Sequence, residues 1–133
     1  MAELRNQFRQ YIQVKIKAHG INITFEMLEI MSFLWKQDGT NQQELADKTF
    51  RDKSGMTYLI DNLVKRKMVK RVEDGCDRRN KLIYLTEEGK ALQTTLYPWV
   101  AEVYETATTD LTVTALQDGL SLYNKMIDNL KKD

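Results

Sequence analysis

Apolar residues recur at helical spacing through most of this chain, and in two short runs the pattern changes to that of strands. Leu4, Phe8, Tyr11, Ile12 and Ile16 mark one face of a helix over residues 3–18, ended by His19-Gly20. Thr24 caps a second helix running to about Lys36. Met27, Leu28, Ile30, Met31, Phe33, Leu34 and Trp35 make it apolar almost all round, as a central core helix should be. Thr86 caps a later helix with Glu87 and Glu88 in its first turn, and Leu92, Leu96, Trp99, Val100, Val103 and Ala107 hold one face. Pro98 lies within that stripe and predicts a kink, not an end, because the pattern continues past it. Thr112 opens the last helix, with Leu111 and Leu116 placed as a hydrophobic staple. Val113, Leu116, Leu120, Tyr123, Ile127 and Leu130 alternate spacings of three and four, a coiled-coil seam expected to pack both on residues 3–18 and on a second copy.

Between these helices, residues 40–89 carry a different arrangement. Thr40 and Gln43 fit a capping box opening a short helix with Leu45 and Ala46 inward. From Lys53 to Arg66, Met56, Leu59, Ile60, Leu63 and Val64 form one stripe, and Ser54, Gly55, Thr57, Tyr58, Asp61, Asn62 and Lys65 form a polar opposite face. Two helices joined by a tight turn, the second with a polar outer face, read as a helix-turn-helix. Two β-rich runs follow, Met68–Glu73 and Lys81–Thr86, joined through Asp74-Gly75 and a tip from Cys76 to Asn80 too polar for any core. A hairpin in that position is a wing. The fold expected is mainly α with a small β-hairpin wing.

Composition adds little until charge is placed along the chain. Hydrophobic content of 42% and charged content of 29% over 133 residues suit one domain with a modest core. No apolar run approaches a membrane span, and the first residues lack the apolar core of a signal peptide. One Cys and one His give neither an internal disulfide nor a zinc site. A cytoplasmic protein is therefore expected, with no cofactor, no metal and no membrane partner. Net charge is only +1, yet residues 48–81 hold eleven Lys and Arg against five Asp and Glu, a balance of +6. A basic island on a helix-turn-helix and wing is the footprint of phosphate binding.

The run Lys53-Ser54-Gly55-Met56-Thr57-Tyr58-Leu59-Ile60-Asp61-Asn62-Leu63, and above all Asp77-Arg78-Arg79 leading into Leu85-Thr86-Glu87-Glu88-Gly89, resembles the MarR family of bacterial transcription regulators. The order and length of elements match over nearly the whole chain. The resemblance implies a winged helix-turn-helix (residues 24–89) embedded between N- and C-terminal dimerisation helices (1–20 and 90–133) in a single domain. It makes Leu4, Phe8 and Tyr11, with the seam from Val113 through Leu116, Leu120, Tyr123, Ile127 and Leu130, the dimer interface. It also implies that Arg79 enters the minor groove, oriented by the Asp77 carboxylate, with Arg78 on phosphate. Many relatives have arginine where Tyr58 stands, so a guanine contact is not expected there.

The function expected is that of a dimeric, sequence-specific regulator on a palindromic operator in double-stranded DNA, a repressor released by a small ligand. Ser54, Thr57, Tyr58 and Asn62 face base edges or phosphates in the major groove, and Lys53, Lys65 and Arg66 face phosphates. Gly55 allows close approach of backbone to phosphate. Relatives bind small aromatic or amphipathic acids between reading head and dimer helices. Tyr11, Lys15, Met31, Trp35 and Trp99 are the candidates to line that pocket, against the alternative that they fill core. Cys76 lies outside the first helix, where oxidant-sensing relatives place their cysteine, and is read as a surface thiol. A winged-helix module that binds protein without specific DNA binding is the alternative. The lone His and Cys lie in different elements and no glycine-rich phosphate loop occurs, so an enzyme is not expected.

Overall fold

The computed structural model describes residues 2–77 and 79–131. Its elements follow in the order α1 (Ala2–Ala18), α2 (Phe25–Lys36), β1 (Thr40–Asn41), α3 (Gln42–Lys48), α4 (Lys53–Lys65), β2 (Val69–Glu73), β3 (Lys81–Leu85), α5 (Glu87–Ala107) and α6 (Val113–Lys131). Packing divides the chain into two units, residues 1–103 and 104–133.

In the first unit α2 is the centre. Thr24 caps it, its side chain accepting the Met27 N–H at 3.3 Å, and Ile30, Met31 and Leu34 are wholly buried. α1 adds Ile12 and Ile16 to the same core and is pinned to α2 by Arg5–Glu29 at 2.9 Å and Arg9–Glu26 at 2.7 Å. Gly20, at φ +66°, turns the chain after α1. The rest of the core comes from Leu45, Ala46, Met56, Ile60, Leu63, Val69, Ile83, Leu92 and Leu96, so every element of this unit contributes except β1.

The sheet differs from a two-stranded wing. Thr40–Asn41 forms a third strand, and β3 lies between β1 and β2, with Thr40 opposite Ile83 and Val69 opposite Leu85. Thr40 is therefore not the cap of α3. Asn41 takes that role, its Oδ1 accepting the Glu44 N–H at 2.7 Å, and Gln43 reaches Asp47 instead of closing a capping box. Pairing with β3 holds Thr40 extended, one residue too early to cap.

The turn between α3 and α4 holds a strained residue. Phe50 sits at φ +55° and is 96% exposed, while Arg51 N–H reaches the Ala46 carbonyl at 3.0 Å. This is the left-handed position after a helix that glycine normally occupies. Phenylalanine gains no burial in return. Phe50→Gly is expected to raise stability by about 0.5–1 kcal/mol, the relieved strain less the added chain entropy. A urea midpoint at or below wild type would refute it.

α5 opens as its pattern requires. The Thr86 hydroxyl accepts the Gly89 N–H at 3.0 Å and donates to the Lys67 carbonyl at 2.6 Å, tying the helix start to the turn that leads into β2. The helix passes Pro98 without ending, and Leu92, Leu96, Trp99 and Val103 are buried.

In the second unit Thr112 caps α6 through the Ala115 N–H at 3.0 Å, after a turn with Asp110 at φ +65°. No residue of α6 is buried. Val113, Leu116, Leu120, Tyr123, Ile127 and Leu130 are all exposed, as is Leu111. Among the described residues, no helix is long and apolar enough to cross a membrane.

Candidate nucleic-acid interface

α4 is oriented by its apolar stripe. Met56, Leu59, Ile60 and Leu63 are buried, while Val64, which spacing puts in the stripe, lies at its edge and is exposed. The opposite face consequently points outward: Lys53, Ser54, Tyr58, Asp61 and Lys65 are exposed, and Thr57 and Asn62 half-buried.

Several of these groups already have partners. Asp52 caps α4 and accepts the Gly55 N–H at 2.6 Å, so that amide is already bonded within the protein. The aspartate also places negative charge at the helix N-terminus. Arg66 turns back along α4 and donates through Nη1 to the Asn62 carbonyl at 3.2 Å and its Oδ1 at 3.0 Å. Arg66 thus braces the helix C-terminus through Nη1, while its Nε is buried without a partner among the described residues. Asn62 in turn donates from Nδ2 to the Tyr58 carbonyl at 2.8 Å. Lys53 and Lys65 remain as the outward cations on this helix.

The wing tip is built by aspartates. Asp74 Oδ1 accepts the Cys76 N–H at 2.9 Å, and its Oδ2 accepts from Asn80 Nδ2 at 2.9 Å. These bonds, the Cys76 amide foremost, hold the Asp74 carboxyl below its ordinary pKa. Asp77 Oδ1 accepts the backbone N–H of Arg79 at 3.0 Å. The expected carboxylate–guanidinium pair is therefore replaced by an Asx turn, which directs the Arg79 backbone and leaves its guanidinium outward. Gly75 needs no positive φ, because Asp74 makes the turn. Arg78 lies outside the described residues.

Helix and wing meet around one cavity of about 200 Å³, lined by Gln42, Gln43, Lys53, Arg79 and Lys81 among others. Two cations expected to play different parts, Lys53 on a phosphate and Arg79 in the minor groove, thus share one surface. Lys81 pairs with Glu73 at 3.0 Å. A polar helix face with cations at both ends, beside an arginine-tipped hairpin, is complementary to a regularly spaced polyanion with hydrogen-bonding edges. Gln42, Asp52 and Arg71 were missed by sequence reasoning. Asp52 was legible, being a cap residue directly before the helical pattern.

The candidate ligand pocket does not assemble. Met31 is wholly buried and Trp99 is core, its ring stacked on His19 with centroids 4.6 Å apart. The Trp35 indole N–H donates to the Gly89 carbonyl at 2.9 Å. Lys15 pairs with Glu102 at 3.4 Å, and Tyr11 donates its hydroxyl to the same carboxylate at 2.6 Å. Those two contacts, Tyr11 first, hold the Glu102 carboxyl below its ordinary range. The open groove that Tyr11 and Lys15 line is completed by Gln7, Gln10 and Val14 of α1, not by the tryptophans. Core packing claimed the aromatic and methionine side chains.

Residues 21–80 match the MarR family model. The HTH-type transcriptional regulator MhqR of Bacillus subtilis (strain 168) is 30% identical over 84 residues, 62% of this chain and 56% of that protein. The chain spans 36% to 56% of the length of the curated relatives it matches. Among solved structures, a MarR transcriptional regulator from Methanosarcina mazei Go1 is 27% identical with a TM-score of 0.86, covering 98% of this chain and 93% of that one. S. aureus MepR, solved as a complex with DNA, is 24% identical with a TM-score of 0.86 over 96% of this chain and 93% of that one.

Proposed function

We propose that this chain, which belongs to the MarR family of winged helix-turn-helix transcriptional regulators, binds duplex DNA as a homodimer through α4 and the wing. Residues 24–89 are the reading part, and residues 1–20 and 90–133 the dimerisation helices. The observation that carries this reading is the shared surface of Lys53 and Arg79, which joins the exposed face of α4 to the wing tip. The DNA complex of S. aureus MepR, similar in fold over nearly the whole chain, supports it.

α4 enters the major groove, where Ser54, Thr57, Tyr58 and Asn62 meet base edges, while Lys53 and Lys65 meet phosphates. Arg79 enters the narrow minor groove, with Arg78 on the backbone beside it. Two such heads bind a roughly palindromic operator with half-site centres ~10 base pairs apart. Selecting bound duplexes from random DNA tests this: a palindromic consensus is expected, with affinity falling by ~10³ or more between 50 and 200 mM salt if six or more phosphates are contacted. The exposed aromatics Phe50 and Tyr58 favour a second reading, a module that docks protein. No enriched duplex and salt-insensitive binding would favour that instead.

Arg79→Ala is expected to weaken binding to the selected operator by about 1–3 kcal/mol at unchanged melting temperature, because the side chain supports no core. Asp77→Ala should do part of the same damage by loosening the Asx turn. Wild-type affinity in both variants would remove the wing from the interface. The same reading includes repression lifted by a small aromatic or amphipathic acid. Trp35 bonds to Gly89 of α5 and Trp99 packs against His19 after α1, so a ligand that shifts these helices and releases DNA should also change tryptophan emission. Release without any emission change would place the ligand elsewhere.

A further inference from the structure

A directional hydrogen-bond chain runs from the wing through α3 to the reading face. Arg71 of β2 pairs through Nη2 with Asp61 and donates from Nε to Gln42 Oε1 at 3.3 Å. Gln42 Nε2 then donates to Thr57 Oγ1 at 3.0 Å, and Thr57 donates its own hydrogen to the Lys53 carbonyl at 2.9 Å. Each direction follows from the one before. A guanidinium has donors only, so the Gln42 oxygen must face Arg71 and its amide nitrogen must face Thr57. The Thr57 oxygen must then accept. Its single hydrogen is left for the carbonyl four residues back in the helix.

We propose that Thr57 determines specificity as a hydrogen-bond acceptor alone, taking the exocyclic amine of an adenine or cytosine in the major groove, with Gln42 and Arg71 as positioning residues. This rests on the DNA-binding reading above and deepens it. A hydroxyl has one hydrogen and two lone pairs. The hydrogen and one lone pair are committed within the protein, leaving one lone pair for the duplex. Phosphate oxygens and the N7 and O6 of guanine are acceptors and are refused. The donors displayed in the major groove are the N6 amine of adenine and the N4 amine of cytosine. Arg71, counted in the basic island, is occupied by Asp61 and Gln42 and contributes orientation in place of a phosphate contact.

The test measures base preference at every operator position, and the salt slope, for wild type, Thr57→Val and Gln42→Met. Valine keeps the shape and a methyl group and removes the acceptor. Wild type is expected to prefer one base pair at one position of each half-site by about tenfold or more, and Thr57→Val to reduce that to about twofold or less with other positions unchanged. Gln42→Met frees the hydroxyl to rotate and should relax the same position only, with the salt slope unaltered. Thr57 supports no core, so its variant carries the test even if Gln42→Met is unstable. A consensus unchanged in Thr57→Val overturns the inference alone, as does uniform weakening with a shallower salt slope, which would mark a phosphate contact. A wild-type protein that enriches no duplex overturns the DNA-binding reading and this inference with it.

Discussion

Gly89→Ala is expected to destabilise the protein by about 3 kcal/mol, the upper end for overpacking a tight site. Helix propensity alone gives the opposite sign, since alanine in a helix is favoured over glycine by about 1 kcal/mol. Sterics decide it. A Cβ at Gly89 would stand 2.1 Å from the Met68 carbonyl oxygen and 3.1 Å from its carbon, both backbone atoms. That carbonyl cannot swing away, because it accepts the Thr86 N–H at 3.0 Å and the Thr86 hydroxyl at 3.1 Å. Moving α5 outward instead would pull the Gly89 carbonyl from the Trp35 indole. Gly119 in α6 is the control: nothing lies within 4 Å of its Cβ position, so Gly119→Ala should stabilise by about 0.5–1 kcal/mol. Urea unfolding of both variants checks the pair. Stabilisation by both would mean that α5 does not press on the Met68 backbone at Gly89.

Leu120→Asp combined with Ile127→Asp is expected to turn a dimer into monomers and to weaken operator binding by about 100-fold or more. Leu120 and Ile127 are 62% and 47% exposed, and they lie on one face with Val113, Leu116, Tyr123 and Leu130. An apolar row of this length is more than a soluble monomer ordinarily leaves in water. Each such side chain gains about 1.5–3 kcal/mol on full burial, and a carboxylate at the same place must be desolvated. Binding follows assembly, because joining two reading heads strengthens attachment by ~10²–10⁴ over one head. Light scattering gives the mass and a gel shift the affinity. An unchanged dimer with unchanged affinity would place the interface elsewhere.

The helices were legible in the sequence because their determinants are local. Thr24, Thr86 and Thr112 each cap an amide three residues on, and the stripes they open repeat every three or four residues. The wing was legible for the same reason, as β-rich runs around a polar tip. Where two local choices were nearly equal, distant contacts decided. Thr40 and Asn41 are both good caps, and only the pairing of Thr40 with Ile83, more than forty residues away, draws the first into a strand. The aromatic and methionine residues of α2 and α5 suited either a core or a pocket by type, and packing put Met31 and Trp99 into the core.

The sequence by itself determined which face of α4 is polar, where positive charge gathers, and that an arginine stands at the wing tip. Those properties depend on residue type and helical period alone. Only the tertiary structure decided which polar groups remain open. Arg66 Nη1 bonds to Asn62 at the end of the helix, and Asp77 holds the Arg79 backbone instead of its side chain. Thr57 receives its polarity from Gln42, 15 positions away, which is itself oriented by Arg71, 29 positions from Gln42. A hydrogen bond consumes a specific donor and a specific lone pair, and the pairing depends on distances between elements that no local pattern encodes.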